Sequence, residues 1–133
     1  MREETGVRSE GVNPVAKRRH QDLLAWQEAM ALAKAVYALT SAFPREETYG
    51  LTSQMRRAAV SIPSNIAEGA ARATAKEFSH FLHIARGSLS EIDTQLKLAQ
   101  DFGYPGDFES SNTSVEQVFK LLGGLINSLK AKD

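Results

Sequence analysis

Residues 49–69 read YGLTSQMRRAAVSIPSNIAEG, and the fold turns on how this stretch is read. At about 100° per residue, Leu51, Met55, Ala58, Ala59, Ile62 and Ile66 share one face of a helix. Gln54, Arg57, Ser61, Asn65, Glu68 and, further on, Arg72 fill a second, wholly polar stripe. A solvated face is usually filled with Lys and Glu. This ordered row therefore has three readings: it solvates the helix, meets another subunit, or touches a ligand. Val60, Pro63 and Ala67 add an apolar flank that faces away from Met55 and Ile62. Pro63 lacks an amide hydrogen and clashes one turn back, a penalty of ~3 kcal/mol in a helix interior, so a kink is expected there. Ser61, Ser64 and Asn65 stand near enough to satisfy the freed carbonyl, directly or through water. Gly69 either caps the helix or lies in a last turn that frays through Ala70 to Ala73.

Upstream, a first helix is expected over residues 22–41. Leu32, Val36, Leu39 and Phe43 lie on one side of its apolar arc, with Trp26, Ala33 and Tyr37 on the other. That arc spans roughly 180°, wider than the ~100° a single core contact requires. The Phe43-Pro44 step ends the helix, because a residue before proline avoids the α region. Arg45 to Gly50 form a short polar connection. Residues 1–20 carry many charges and few large apolar groups, and read as a disordered tail that cannot offset its own ordering entropy. The basic cluster Lys17-Arg18-Arg19-His20 at its end reads as a solvated junction or as a phosphate-binding arm.

Downstream, Thr74-Ala75-Lys76-Glu77 is a capping box that starts a third helix. Phe78, Phe81, Leu82, Ala85, Leu89, Ile92, Leu96 and Ala99 recur at helical spacing to about Phe102, and Gly103 stops it. Lys76, Ser79, His83, Arg86, Ser90, Asp93 and Lys97 make another mixed polar row. Tyr104 to Asn112, with Pro105 and Gly106, read as a loop. A fourth helix is expected from Thr113 or Ser114, with Val115, Val118, Leu122, Leu125 and Leu129 on a heptad seam widened by Phe119, Leu121 and Ile126. Gly123 and Gly124 inside it imply close helix approach or local slack. Four helices, short connections and no strand pattern give an all-α, antiparallel up-and-down four-helix bundle over residues 21–133.

At 133 residues the chain is one domain, long enough to bury a core. Sixteen basic and sixteen acidic residues cancel, so any case for nucleic acid must come from a local patch. Absence of cysteine excludes disulfides, thiolate zinc sites and cysteine nucleophiles. No apolar run approaches the ~18 residues of a membrane span, and no signal-peptide core follows Met1, which points to a soluble cytoplasmic protein.

Chemical motifs are sparse. Glu77-Phe-Ser-His80 matches the Glu-x-x-His of di-iron bundles, but such a site needs a second copy and further glutamates, and Glu77 already serves the capping box. His80 and His83 sit apart around the helix axis, and His20 lies in the tail, so no Ser-His-Asp arrangement follows. Ser61 and Ser88 suit backbone capping or close packing. No arginine stands four to six residues before a histidine, as one class of helical ribonuclease requires. Gly123-Gly124 is no phosphate loop, having no lysine after it. These readings leave a non-enzyme, with no catalytic residue, metal, cofactor, membrane or small-molecule substrate inferred. Arg56, Arg57, Arg72, Lys76, Arg86 and Lys97 could gather on one surface if helices two and three are antiparallel neighbours.

The stretch Tyr49 to Gly69 resembles a family of small bacterial four-helix proteins named for reading frames in intervening sequences of 23S ribosomal RNA genes. Trp26-Gln27, Phe43-Pro44 with Glu47, Phe78, Phe81-Leu82, Ala85, Gly87-Ser88-Leu89, Glu91, Gln95-Leu96, Ala99 and Gly103-Tyr104 continue the likeness. It covers about residues 22–130. The resemblance implies a left-handed antiparallel bundle that assembles as a homo-oligomer, a pentameric ring, without established enzymatic activity. Related accessory proteins of diversity-generating retroelements are positively charged pentameric barrels that bind a reverse transcriptase and nucleic acid. This chain departs from them in its neutral net charge. Carried over by position, Gln54, Arg56, Arg57, Ser61, Pro63, Asn65, Glu68 and Gly69 belong to interface and helix geometry before ligand contact. Two readings result. In one, an oligomeric scaffold engages RNA or a nucleic-acid enzyme through Arg57, Arg72, Lys76 and Arg86. In the other, a protein-only interaction module uses its polar stripes as subunit contacts.

Overall fold

The apolar spacings become four α-helices in the computed structural model, which describes residues 19–130. α1 spans Leu24–Thr40, α2 Leu51–Ala70, α3 Ala75–Asp101 and α4 Phe108–Leu129. Short 3-10 turns at Arg19–Asp22 and Arg45–Glu47 precede α1 and α2. The expected disordered tail lies outside the described residues, apart from Arg19 and His20 in the first turn.

α2 packs on α1 and α3, α4 packs on α3 and α1, and the diagonal pairs do not meet among the described residues. That square, with tight connections, is the up-and-down bundle. Leu32 and Val36 from α1, Met55, Ile62 and Ile66 from α2, Leu82, Leu89, Ile92 and Leu96 from α3, and Val115, Val118 and Leu122 from α4 are fully buried. Burying each such side chain contributes roughly 1.5–3 kcal/mol. Among the described residues, no helix is long and apolar enough to cross a membrane.

Local chemistry sets the helix ends. Thr74 Oγ1 accepts from the Glu77 amide at 3.1 Å, the hydroxyl half of the expected capping box. α3 closes with a Schellman arrangement: Gly103 has φ +79°, and the Tyr104 and Gly103 amides donate to Ala99 and Gln100 at 3.1 and 3.0 Å. α4 starts earlier than its Thr113 or Ser114 signature indicates. Asp107 is the true N-cap, its carboxylate accepting from the Ser110 amide at 3.0 Å. Phe108 is then buried and stacks on Phe43, with ring centroids 6.4 Å apart, so the expected loop keeps only its first residues. The expected apolar face of α4 packs inward, with Val115, Val118 and Leu122 at its centre. Ile126 is buried, while Leu125 and Leu129 are half-buried at the margin.

The glycines divide. Gly69 is buried inside α2, where an added Cβ would meet Phe81 Cβ at 2.8 Å and the Phe78 carbonyl oxygen at 3.1 Å. It permits close approach of α3; helix α2 runs one residue past it. Gly123 and Gly124 face open space, so no close approach of another helix of the same subunit requires them. Helical backbone continues through Pro63 from Leu51 to Ala70.

Candidate interaction surfaces

Two outward surfaces flank α2. Toward α1, the surplus sides of both helices meet. Trp26, Met30, Ala33 and Tyr37 from α1, with Val60, Pro63 and Ala67 from α2, line a groove of about 560 Å³, edged by Lys34 and Ser64. Tyr37 and Val60 are each 44% exposed, although both are large and apolar. The wide arc of α1 and the Val60-Pro63-Ala67 flank are thus one continuous surface. Lys34, Ser64 and the Tyr37 hydroxyl are its polar side chains.

Toward α3 the surface is polar. Gln54, Arg57 and Ser61 from α2 and Ser88 and Glu91 from α3 line a cleft of about 430 Å³. The Ser61 and Ser88 hydroxyls lie 2.8 Å apart and join the helices. Asn65 donates to the Ser61 carbonyl at 2.8 Å and to its hydroxyl at 3.0 Å, extending the chain of polar contacts. Of the two roles expected of these serines, backbone capping or close packing, this contact is the second. Gln95, buried one turn from Glu91, donates to the Glu91 carboxylate at 3.3 Å, and its Oε1 has no partner.

Of the six cations on α2, α3 and the turn between them, Arg56 and Lys97 turn away from the α2/α3 face. Arg56 turns toward α1. It donates to Thr40 Oγ1 at 2.9 Å, to the Tyr37 carbonyl at 3.2 Å and to Ser41 Oγ at 3.3 Å, and lies 4.6 Å over the Tyr37 ring. The last turn of α1 has no basic residue of its own, and Arg56 caps it from the next helix. Arg72 pairs with Glu68 at 2.9 Å and covers the Phe81 ring at 4.7 Å. Lys97 pairs with Asp93 at 2.9 Å, and both line a cleft shared with α4. Lys76 sits beside the end of α4, near Leu129 and Lys130. Arg86 is half-buried on α3. Arg57 shares its cleft with Glu91. Arg57 lies in the second turn of α2 and Arg72 in the turn beyond its end, and the helix between Arg57 and Ala70 runs roughly 20 Å at ~1.5 Å of rise per residue.

Sequence reasoning missed the pair at one bundle end. Glu47 Oε1 accepts from the Leu51 amide at 2.9 Å, replacing the side-chain cap that Gly50 cannot supply. Its Oε2 accepts from the Tyr104 hydroxyl at 2.6 Å. The Tyr104 bond, then the Leu51 amide, hold the Glu47 carboxyl below the usual carboxylate range, and the same pairing pushes the Tyr104 phenol up. Phe43 and Phe102 pack on the Tyr104 ring at 5.1 and 5.5 Å. The signal available was Gly at the N-cap with Glu three residues earlier.

Glu77 and His80 are exposed, and His80 stands edge-on to Phe81 at 5.3 Å. His83 donates from Nδ1 to the Ser79 carbonyl at 2.8 Å. Among the described residues no three His, Cys, Asp or Glu side chains are grouped to hold a metal ion.

Fold and surfaces together define a helical-bundle protein with an apolar flank on one side of α2 and a polar cleft on the other. The profile of the 23S rRNA-intervening sequence proteins matches residues 21–124, and the chain belongs to that family. Among solved structures it is similar to the crystal structure of a protein of unknown function from the S23 ribosomal protein family of Bacteroides thetaiotaomicron. The TM-score is 0.69 at 22% identity, covering 78% of this chain and 96% of that one. At that identity the likeness concerns the fold. No curated protein matches the chain.

Proposed function

We propose that this protein is a non-enzymatic, homo-oligomeric scaffold whose copies meet through the apolar α1/α2 groove and whose polar α2/α3 face receives a partner. The groove carries the reading. A single subunit leaves Tyr37 and Val60 half in water beside Trp26 and Met30, and a contiguous apolar surface of this kind is what a protein interface covers. The resemblance to ring-forming relatives supports the same assembly.

For the partner of the polar face, charge pattern favours protein. Arg72 stands against Glu68 and Arg57 shares its cleft with Glu91, so cations and carboxylates alternate along it. Alternating signs suit a protein surface of complementary pattern, whereas a polyphosphate chain rewards an unbroken row of cations. RNA, or an enzyme that acts on nucleic acid, is the other reading, with Arg57, Arg72, Lys76 and Arg86 as its contacts.

Fluorescence polarisation of a labelled single-stranded RNA across a salt series decides between them. A protein-directed face gives no binding at low salt, and Arg57→Ala leaves that result unchanged. Binding that falls steeply with salt and weakens in Arg57→Ala would install the RNA reading instead.

A further inference from the structure

The apolar groove has a candidate occupant in the chain itself. The turn at Arg19–Asp22 packs against both α1 and α2, at the end of the groove where Trp26 and Ala67 stand. His20 lies edge-on to Trp26, with ring centroids 5.0 Å apart. Residues 1–18 therefore join the described chain at the mouth of the groove.

Their composition fits it. Val12-Asn13-Pro14-Val15-Ala16 is the most apolar run before Arg19. Pro14 has no amide hydrogen to leave unpaired against an apolar surface, and its fixed φ lowers the ordering cost. Distances fit as well. From Trp26 to Tyr37 the groove runs about 16 Å along α1 at ~1.5 Å of rise per residue. Measured back from residue 19, an extended chain carries Val15 and Val12 up to about 14 and 25 Å, at ~3.3–3.6 Å per residue. Both valines reach the lining.

We propose that the Val12–Ala16 segment seats in the α1/α2 groove of its own chain and competes there with a second copy, so that residues 1–18 set the concentration at which subunits assemble. This rests on the reading of the groove as the contact between copies. The tethered segment acts at an effective concentration near millimolar, so it holds the groove in dilute protein and yields to neighbouring copies as the protein is concentrated.

Trp26 is the single tryptophan and reports directly on the groove. Among the described residues every buried core residue lies between Ala25 and Ile126, so a chain beginning at residue 19 keeps that core. Acrylamide quenching of Trp26 is compared in dilute full-length protein, in the chain beginning at residue 19, and in full-length protein carrying Val12→Asp with Val15→Asp. Quenching should rise at least twofold in both altered proteins, and a synthetic peptide of residues 7–18 should reverse the rise in the shortened one. Equal quenching in all three dilute samples, with shielding on concentration, overturns the competing segment and leaves the interface reading standing. Equal quenching that concentration does not change removes both.

Discussion

Glu47 occupies two partners with its two carboxylate oxygens, the first amide of α2 and the hydroxyl of Tyr104. Both favour its ionised form, and its folded pKa is lowered from the ordinary 4.5. The stabilisation is therefore complete above about pH 4.5 and is lost as pH falls through the lowered folded value. In urea unfolding, Glu47→Gln should be less stable than the wild type near pH 7, with the gap closing as the pH falls below the ordinary carboxylate value of 4.5. A gap that stays constant would show that the charge contributes nothing. For Tyr104 the direction is reversed: its pKa is raised, so its share is present at neutral pH and lost only at high alkalinity. Arg56 shows what residue-level reading misses. Arg56 and Arg57 are adjacent and chemically identical, yet one caps α1 and the other faces the α2/α3 cleft. Helical spacing puts Arg57 on the polar stripe, and the placement of α1 beside α2 gives Arg56 its partners.

Among the helices, the same substitution should act with opposite sign at two glycines. At Gly69 a new Cβ would lie 2.8 Å from Phe81 Cβ and 3.1 Å from the Phe78 carbonyl oxygen, forcing α3 away from α2. Gly69→Ala should destabilise the protein by roughly 1–3 kcal/mol, overcoming the gain in helix propensity. At Gly124 a Cβ meets nothing within 4 Å, so Gly124→Ala should stabilise an isolated subunit by about 0.5–1 kcal/mol. Chemical denaturation of the two variants, side by side, checks both signs. α1, α2 and α3 were legible because apolar periodicity, a proline, a capping box and a glycine stop agreed at their ends. α4 was legible in its middle only. Its first turns hold the weaker helix formers Ser110, Ser111 and Asn112 after Pro105-Gly106, and Thr113 offered a false start. The burial of Phe108 against Phe43 and the Asp107 cap decide the matter, and the first of these is a contact across the bundle.

For the whole molecule, the groove was legible in halves. The arc of α1 was too wide for one core, and Val60, Pro63 and Ala67 faced away from Met55. Pairing α1 with α2 joins the halves into one surface. The cations were legible as a list of residues but not as a place: Arg72 and Lys97 pair one turn back with Glu68 and Asp93, as helical spacing allows, whereas Arg56 turns to α1, a partner that spacing alone does not select. What the molecule does therefore depends on whether copies cover the groove. Val60, 44% exposed and outside the core, is the position where a charge disturbs the groove and spares the fold. Sedimentation equilibrium of the chain beginning at residue 19, beside the same chain carrying Val60→Asp, tests this most directly. The account predicts a concentration-dependent rise to a multiple of the subunit mass, lost in Val60→Asp while helical circular dichroism is kept. A single-subunit mass at high concentration, or assembly unmoved by Val60→Asp, would contradict it.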